Sequence, residues 1–73
     1  MIKLGIYKHY KGNLYQVLGP AINTDTEQEL VLYKALYKTG DGIEYFVKRE
    51  DEFLANVEWN GEQVKRFEFV SEN

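Results

Sequence analysis

Short runs of β-branched and aromatic residues alternate with turn signals along the whole chain. The turn signals are Gly12-Asn13, Gly19-Pro20, Gly40-Asp41-Gly42 and Asn60-Gly61. Short strands at this spacing are typical of all-β barrels and sandwiches, whereas alternating strands and helices need longer segments between turns. The pattern therefore predicts a mostly β fold, a small barrel of five or six short antiparallel strands with one short helical or 3-10 turn.

The first two runs predict a hairpin. Alternation in the first run places Tyr7 and His9 on one face of a strand. Gly12-Asn13 fits a two-residue type II′ loop, because glycine accepts the positive φ of its first position. Leu14–Leu18 is the returning strand. We expect Gly19-Pro20 to kink or end it, since proline cannot donate to a strand ladder.

Residues 26–38 allow two predictions. A helix would begin at Thr26, with Glu29 three residues later, and would end at Gly40. A strand would place four residues on one face: Val31, Tyr33, Ala35 and Tyr37. Leucines then occupy the other face, and apolar residues on both faces favour a strand between the two sides of a barrel. The residues alone favour the strand, with the helix as the alternative.

The last third of the chain adds shorter elements. Ile43–Lys48 has the composition of a strand, and Arg49–Ala55 predicts one helical or 3-10 turn that buries Phe53 and Leu54. Asn60-Gly61 is the strongest short hairpin signal in the chain. The closing run RFEFV alternates two phenylalanines toward the core.

Size and composition define the class of protein. Seventy-three residues form a single domain, residues 1–73, whose small core has no disulfide to support it because the chain lacks cysteine. No Cys/His cluster is available for a structural metal, so the fold depends on packing or on a homo-oligomer interface. The sequence shows no apolar run of membrane-spanning length and no signal peptide, so we expect a cytoplasmic protein.

The charge is unevenly distributed. The net charge is −3, which argues against nucleic-acid binding by bulk electrostatics. Residues 1–49 hold seven Lys/Arg against five Asp/Glu, whereas residues 50–73 hold two against seven. All six tyrosines lie in the mildly basic part. Ordinary solvated surface is one interpretation of this asymmetry, and a binding face is the other.

The residues present exclude most catalytic chemistry. The chain has one serine, Ser71 near its end, and one histidine, His9, so no Ser-His-Asp or Cys-His arrangement can form. The acidic run Glu50-Asp51-Glu52 lies on one turn, where successive side chains diverge and would not converge on a metal. No phosphate-binding glycine loop is present. We predict a protein that is not an enzyme, without catalytic residues, metal or cofactor. The alternative is an enzyme that uses paired carboxylates far apart in the chain, although so small a barrel has no deep cleft to hold a sugar.

Binding chemistry is better represented. Tyrosines interleaved with cations can stack bases or hold an extended peptide. The candidate ligand-binding residues are Tyr7, His9, Lys11, Tyr37, Lys48 and Arg49. The expected partner is a single-stranded nucleic acid, a peptide or a protein, and not a membrane. The alternative for the tyrosines is that most are core residues, with Tyr15 and Tyr33 burying their rings. The alternative function is that of a structural or assembly protein acting as a homo-oligomer.

The order of these motifs resembles a family of small bacterial domains of unknown function, found mostly as short stand-alone proteins. The matching segments are HYKG-x-x-Y (His9–Tyr15), Thr26-Glu27, VLYKALY (Val31–Tyr37), YFVKRE (Tyr45–Glu50) and NGEQVKRFEF (Asn60–Phe69). They cover nearly the whole chain, from about Ile6 to Val70. The resemblance implies a compact, mostly β, SH3-like fold and favours the strand at residues 26–38. It implies no activity, since none is established for the family.

The sequence departs from the family pattern at four positions. Phe46 stands where the family usually has tryptophan, and Lys34 stands where it has arginine. Glu50 and Lys65 stand where it often has prolines. A function for the family's Arg-Pro step is therefore not carried over to this chain.

Overall fold

Seven strands and one short helix make up the fold in a computed structural model that describes residues 2–73. The elements are β1 (Gly5–His9), β2 (Leu14–Ile22), β3 (Glu29–Ala35), β4 (Tyr45–Lys48), α1 (Glu50–Phe53), β5 (Asn56–Trp59), β6 (Glu62–Lys65) and β7 (Phe67–Ser71). The mostly β class and the helical turn are confirmed. The fold has seven strands and not five or six, because Arg66 separates β6 from β7 and these two strands have different partners.

The strands form a barrel-like fold from two antiparallel units. Five strands lie in the order β4-β3-β2-β1-β7, so the first and last strands of the chain are neighbours. β5 and β6 form a separate two-stranded ribbon, closed at Asn60-Gly61. Both turn residues have positive φ, 53° and 80°, as a type I′ hairpin requires. The hairpin predicted from this dipeptide is confirmed.

The first hairpin has a longer loop than the sequence predicted. The His9 N–H donates to the Asn13 carbonyl at 2.8 Å, and the Gly12 N–H donates to the His9 carbonyl at 2.7 Å. The loop therefore contains three residues, Tyr10, Lys11 and Gly12, with the glycine at φ +110°. Gly12-Asn13 is not a two-residue loop, because Asn13 already bonds to the strand opposite. This geometry places Lys11 at the tip of the loop.

Gly19-Pro20 kinks β2 and does not end it. The register with β3 shifts between Val17 and Gly19, so one extra residue bulges from the ladder. Beyond this bulge β2 pairs with β3 but no longer with β1, whose pairs end at Val17. At Pro20, β2 thus has a neighbouring strand on one side only. The N–H that proline lacks belongs to the side without a neighbour, so no ladder hydrogen bond is lost.

The disputed segment is a strand. β3 covers residues 29–35, and Val31, Tyr33 and Ala35 are buried on its inner face, as the strand prediction required. The helix alternative is wrong, since every residue of β3 from 29 to 35 pairs with β2. Tyr37 lies beyond the end of the strand and is exposed.

The core is a cluster of aromatic rings centred on Phe53. Phe53 is fully buried and stacks in parallel on Phe67, with ring centroids 4.0 Å apart. Tyr7 and Tyr33 each meet Phe53 edge-on at 5.3 Å. Leu54, predicted to be buried with Phe53, is 53% exposed. Neighbouring residues of a helical turn point about 100° apart, so a turn that directs Phe53 inward directs Leu54 toward solvent.

Replacing Phe53 tests the importance of this cluster. We expect Phe53→Ala to lower the free energy of unfolding by about 3–5 kcal/mol, because it removes a fully buried ring and leaves a cavity. Leu54→Ala, its exposed neighbour, should cost about 0.5 kcal/mol or less. Urea denaturation of both variants and of Phe53→Leu, an intermediate case, measures the difference. Equal losses at the two positions would contradict the assignment of Phe53 as the centre of the core.

Candidate functional site

His9 lies at the end of β1, where the first loop begins. Its ring is half-buried between the ring of Tyr10, with centroids 4.4 Å apart, and the ring of Phe67, 5.0 Å away. The backbone N–H of Lys11 donates to its Nδ1 at 3.1 Å. This bond assigns the proton of the neutral imidazole to Nε2. The ring is therefore held in one orientation with its Nε2–H still available as a donor.

Three cations lie near enough to this imidazole to act on its pKa. Burial lowers the pKa of His9 below its ordinary value of 6.5, and the positive charges of Lys11, Arg66 and Lys48 lower it further. The three cations come from the first loop, from the break between β6 and β7, and from the end of β4. At neutral pH His9 is consequently uncharged and the cations supply the charge. We call these four residues the basic face.

The cations of the basic face are not neutralised by carboxylates. Within residues 2–73, no carboxylate lies within ion-pair distance of Lys11, Lys48 or Arg66. The Nε–H of Arg66 donates instead to the backbone carbonyl of Glu52 at 3.0 Å, near the end of α1. Cations suit the carboxyl end of a helix, but this bond leaves the charge of Arg66 in place. The basic face can therefore accept an anion.

Arg49, one of the predicted site residues, is occupied elsewhere. Its Nε lies 3.1 Å from an oxygen of Asp51 and 3.0 Å from an oxygen of Glu52. The acidic first turn of α1, which the sequence showed as Glu50-Asp51-Glu52, thus offsets the charge of Arg49. The basic face has Arg66 as its arginine, a residue that the sequence analysis did not select.

Two tyrosine hydroxyls lie beside the basic face. The hydroxyls of Tyr15 and Tyr37 are 2.8 Å apart, and the ring of Tyr15 is 6.3 Å from that of His9. Burial raises the pKa of Tyr15, and the hydrogen bond to Tyr37 raises it further, so this hydroxyl stays protonated. In such a pair one hydroxyl donates to the other, and the acceptor keeps its own proton for a further partner. The pair can donate one hydrogen bond to a ligand.

Tyr7 is part of the core, although it shares a strand face with His9. It is 4% exposed, its hydroxyl donates to the carbonyl of Lys3 at 2.7 Å, and burial raises its pKa. The rings of Phe53 and Phe69 cover the ring of Tyr7. His9 lies two residues later, at the end of β1, where these two rings do not cover it. Tyr7 thus does not lie on a surface that a ligand could reach. The structure brings together His9, Lys11, Tyr37 and Lys48 of the predicted set.

A groove that the sequence did not predict lies next to His9. It lies between the first loop and the β5–β6 ribbon, and its lining includes Tyr10 and Trp59, whose rings meet edge-on with centroids 5.2 Å apart. Trp59 is the one tryptophan of the chain and is 41% exposed. The available signal was a large aromatic residue directly before a hairpin turn, where side chains tend to remain accessible.

Neither a metal centre nor a membrane span is seen in the described part of the chain. Among residues 2–73, no three His, Asp or Glu side chains come together where they could hold a metal ion. In the same range, no helix has the length and apolar character needed to cross a membrane. The exposed apolar side chains of β4, Tyr45 and Val47, lie at an edge of the sheet, and homo-oligomerisation stays a prediction.

Comparison with known proteins places the chain in a family. The family described as "Protein of unknown function (DUF1653)" matches residues 5–69. The chain belongs to the DUF1653 family. The resemblance to a family of unknown function is confirmed, and the matched range includes every residue of the basic face.

A solved DUF1653 structure has the same fold. The crystal structure of a DUF1653 protein from Bordetella bronchiseptica superposes with a TM-score of 0.90 at 28% sequence identity. The match covers 99% of this chain and 91% of that chain. No curated protein matches the chain. The DUF1653 relatives thus support the fold and leave the function to be argued from the site.

The electrostatics of His9 predict how stability depends on pH. Its pKa in the folded protein lies below 6.5, so the unfolded chain binds a proton more readily as the pH falls through about 6.5. Lowering the pH from about 7.5 to about 5.5 should therefore destabilise the wild type more than His9→Asn, which keeps an acceptor for the Lys11 N–H. Urea denaturation of both proteins at both pH values measures this. Equal losses of unfolding free energy in the wild type and in His9→Asn would contradict a lowered pKa of His9.

Proposed function

We propose that the protein is a non-catalytic binding module that holds a single-stranded nucleic acid on its basic face. The observation that carries this proposal is the arrangement around His9. Lys11, Lys48 and Arg66 each lower the pKa of the His9 imidazole, and they have no carboxylate within ion-pair distance in residues 2–73. Like charges gathered at one place repel one another, and a bound anion relieves that repulsion.

A phosphate group suits this arrangement. Lysine and arginine side chains supply most contacts to phosphate oxygens, and hydroxyl groups such as the Tyr15–Tyr37 pair add to them. The Nε2–H of His9 is a further donor at the same place. Because the whole chain carries a net charge of −3, binding depends on this local cluster and not on the overall charge. We expect two or three phosphate contacts, and hence a slope of log K against log salt of about −1.4 to −2.1 for a single strand.

Aromatic rings next to the cations favour nucleic acid over other anions. Tyr10 is stacked on His9 at a tilt of 30°, and Tyr37 is 36% exposed beside the Tyr15 hydroxyl. Bases stack on such rings with little regard to sequence. An acidic peptide would use the cations but would not need the rings.

Fluorescence anisotropy with a short labelled oligonucleotide tests the proposal. At low salt, Lys11→Ala/Lys48→Ala should weaken binding by about tenfold, which corresponds to about 1.4 kcal/mol. The matched control is Lys3→Ala/Lys34→Ala, which removes the same charge from two lysines that have carboxylate partners. Repeated at about 0.15 M salt, the control should change by less than about twofold, because screening at that ionic strength limits the effect of distant surface charges.

Two results would contradict the proposal. One is the absence of binding by the wild type at about 20 mM salt, where phosphate contacts are strongest. The other is an equal loss of affinity in the two double variants, which would mean that overall charge alone drives binding. Weak dependence on salt, with affinity for an extended peptide, would indicate a peptide-binding module in its place.

A further inference from the structure

The groove beside the basic face has its own chemistry. It has a volume of about 260 Å³ and is lined by Tyr10, Trp59 and Val64, with Lys8, Lys65 and Glu68 around them. Pockets for drug-sized ligands are typically about 300–1,000 Å³, so this space suits one planar ring system rather than a larger molecule. We call it the Trp59 groove.

The aromatic residues of the groove are placed to hold a ring. Trp59 ends β5 directly before the tight Asn60-Gly61 turn, which holds its backbone in place. Tyr10 meets it at an interplanar angle of 69°, and the other neighbour of Tyr10 is the ring of His9. Exposed tryptophan faces on such a rigid ribbon are strong stacking surfaces.

The polar residues of the groove are free to contact a ligand. Lys8 and Glu68 are directly opposite each other on β1 and β7, yet they form no ion pair within 4.0 Å in the described residues. Lys65 likewise has no carboxylate within that distance in residues 2–73. The groove thus offers one carboxylate acceptor and two cationic donors next to an aromatic wall.

We propose that the Trp59 groove binds one base of a bound single-stranded nucleic acid. It prefers cytosine over uracil, because the exocyclic amino group of cytosine donates a hydrogen bond to Glu68. A carboxylate accepts such a bond from the N4 amino group of cytosine. Uracil presents a carbonyl oxygen at the same position, which would face the negative charge of Glu68. The preference therefore follows from the one acidic residue in an otherwise basic and aromatic site.

The groove and the basic face form one continuous surface. His9 and Tyr10 belong to the lining of the groove, and Lys11 follows them at the tip of the loop. A bound single-stranded nucleic acid can therefore place a phosphate against Lys11 while the adjacent base enters the groove. This inference rests on the proposed function, since it identifies which base that function selects.

Matched oligonucleotides test the preference. Oligo(dC) and oligo(dU) of equal length are flexible pyrimidine oligonucleotides whose bases differ in the group at position 4 and in the proton at N3. At neutral pH we expect the wild type to bind oligo(dC) at least about fivefold more tightly, which is about 1 kcal/mol. Glu68→Gln should bring the ratio of the two affinities close to one, because an amide can both donate and accept. Trp59→Phe should keep the ratio of the two affinities, and Trp59→Ala should lower the affinity for both oligonucleotides.

The outcomes separate this inference from the proposed function. Equal affinities for the two strands, or a ratio that Glu68→Gln leaves unchanged, would overturn the base preference. If Lys11→Ala/Lys48→Ala still lowers the affinity for both oligonucleotides in that case, the basic face remains the proposed nucleic-acid site. Absence of binding to either strand would overturn both proposals.

Discussion

The parallel stack of Phe53 on Phe67 is the contact on which the rest of the structure depends. It joins α1, one turn in length, to the last strand of a sheet whose first and last strands are neighbours. Tyr7 and Tyr33 meet Phe53 edge-on, and Tyr33 also meets Phe67, so one pair of rings connects β1, β3, α1 and β7. Each such pair adds about 0.5–1.5 kcal/mol beyond burial. In a domain without disulfides, this cluster replaces a larger core.

The same stack positions the basic face. Phe67 contacts the ring of His9, and Arg66, the residue before it, donates to the carbonyl of Glu52 one position before Phe53. Arg66 is therefore held in place by its bond beside the core and not only by its own flexible side chain. Holding the three cations near His9 costs electrostatic free energy within the protein, and a bound phosphate would recover part of it. Stability and binding thus involve the same few residues.

Local sequence patterns predicted most of the elements. Alternation identified the inner face of β3, and Asn60-Gly61 identified its hairpin, because both signals depend on residues close together in the chain. Leu54 was misplaced because one helical turn can direct a single large residue into so small a core. The three-residue loop was missed because the pairing of His9 with Asn13, and not the position of the glycine, decides where the strands part.

The candidate site was harder to predict, because it depends on contacts between distant residues. Alternation places Tyr7 and His9 on the same face of β1. Their exposure differs because the rings of Phe53 and Phe69 cover Tyr7 alone. Arg66 has no local signal, since its role comes from the Glu52 carbonyl fourteen residues earlier. Arg49 has a clear local signal, but neighbouring carboxylates offset its charge.

The pKa of His9 tests the central claim, that Lys11, Lys48 and Arg66 gather around this imidazole to hold a phosphate. It can be measured by ¹H–¹⁵N NMR of the imidazole nitrogens, in the free protein and with a saturating short oligonucleotide. We expect a pKa below 6.5 in the free protein, because of burial and the three cations. We expect the pKa to rise on binding, because the phosphate charge opposes theirs. An unchanged or lower pKa of His9 in the bound state would show that no phosphate lies beside these cations.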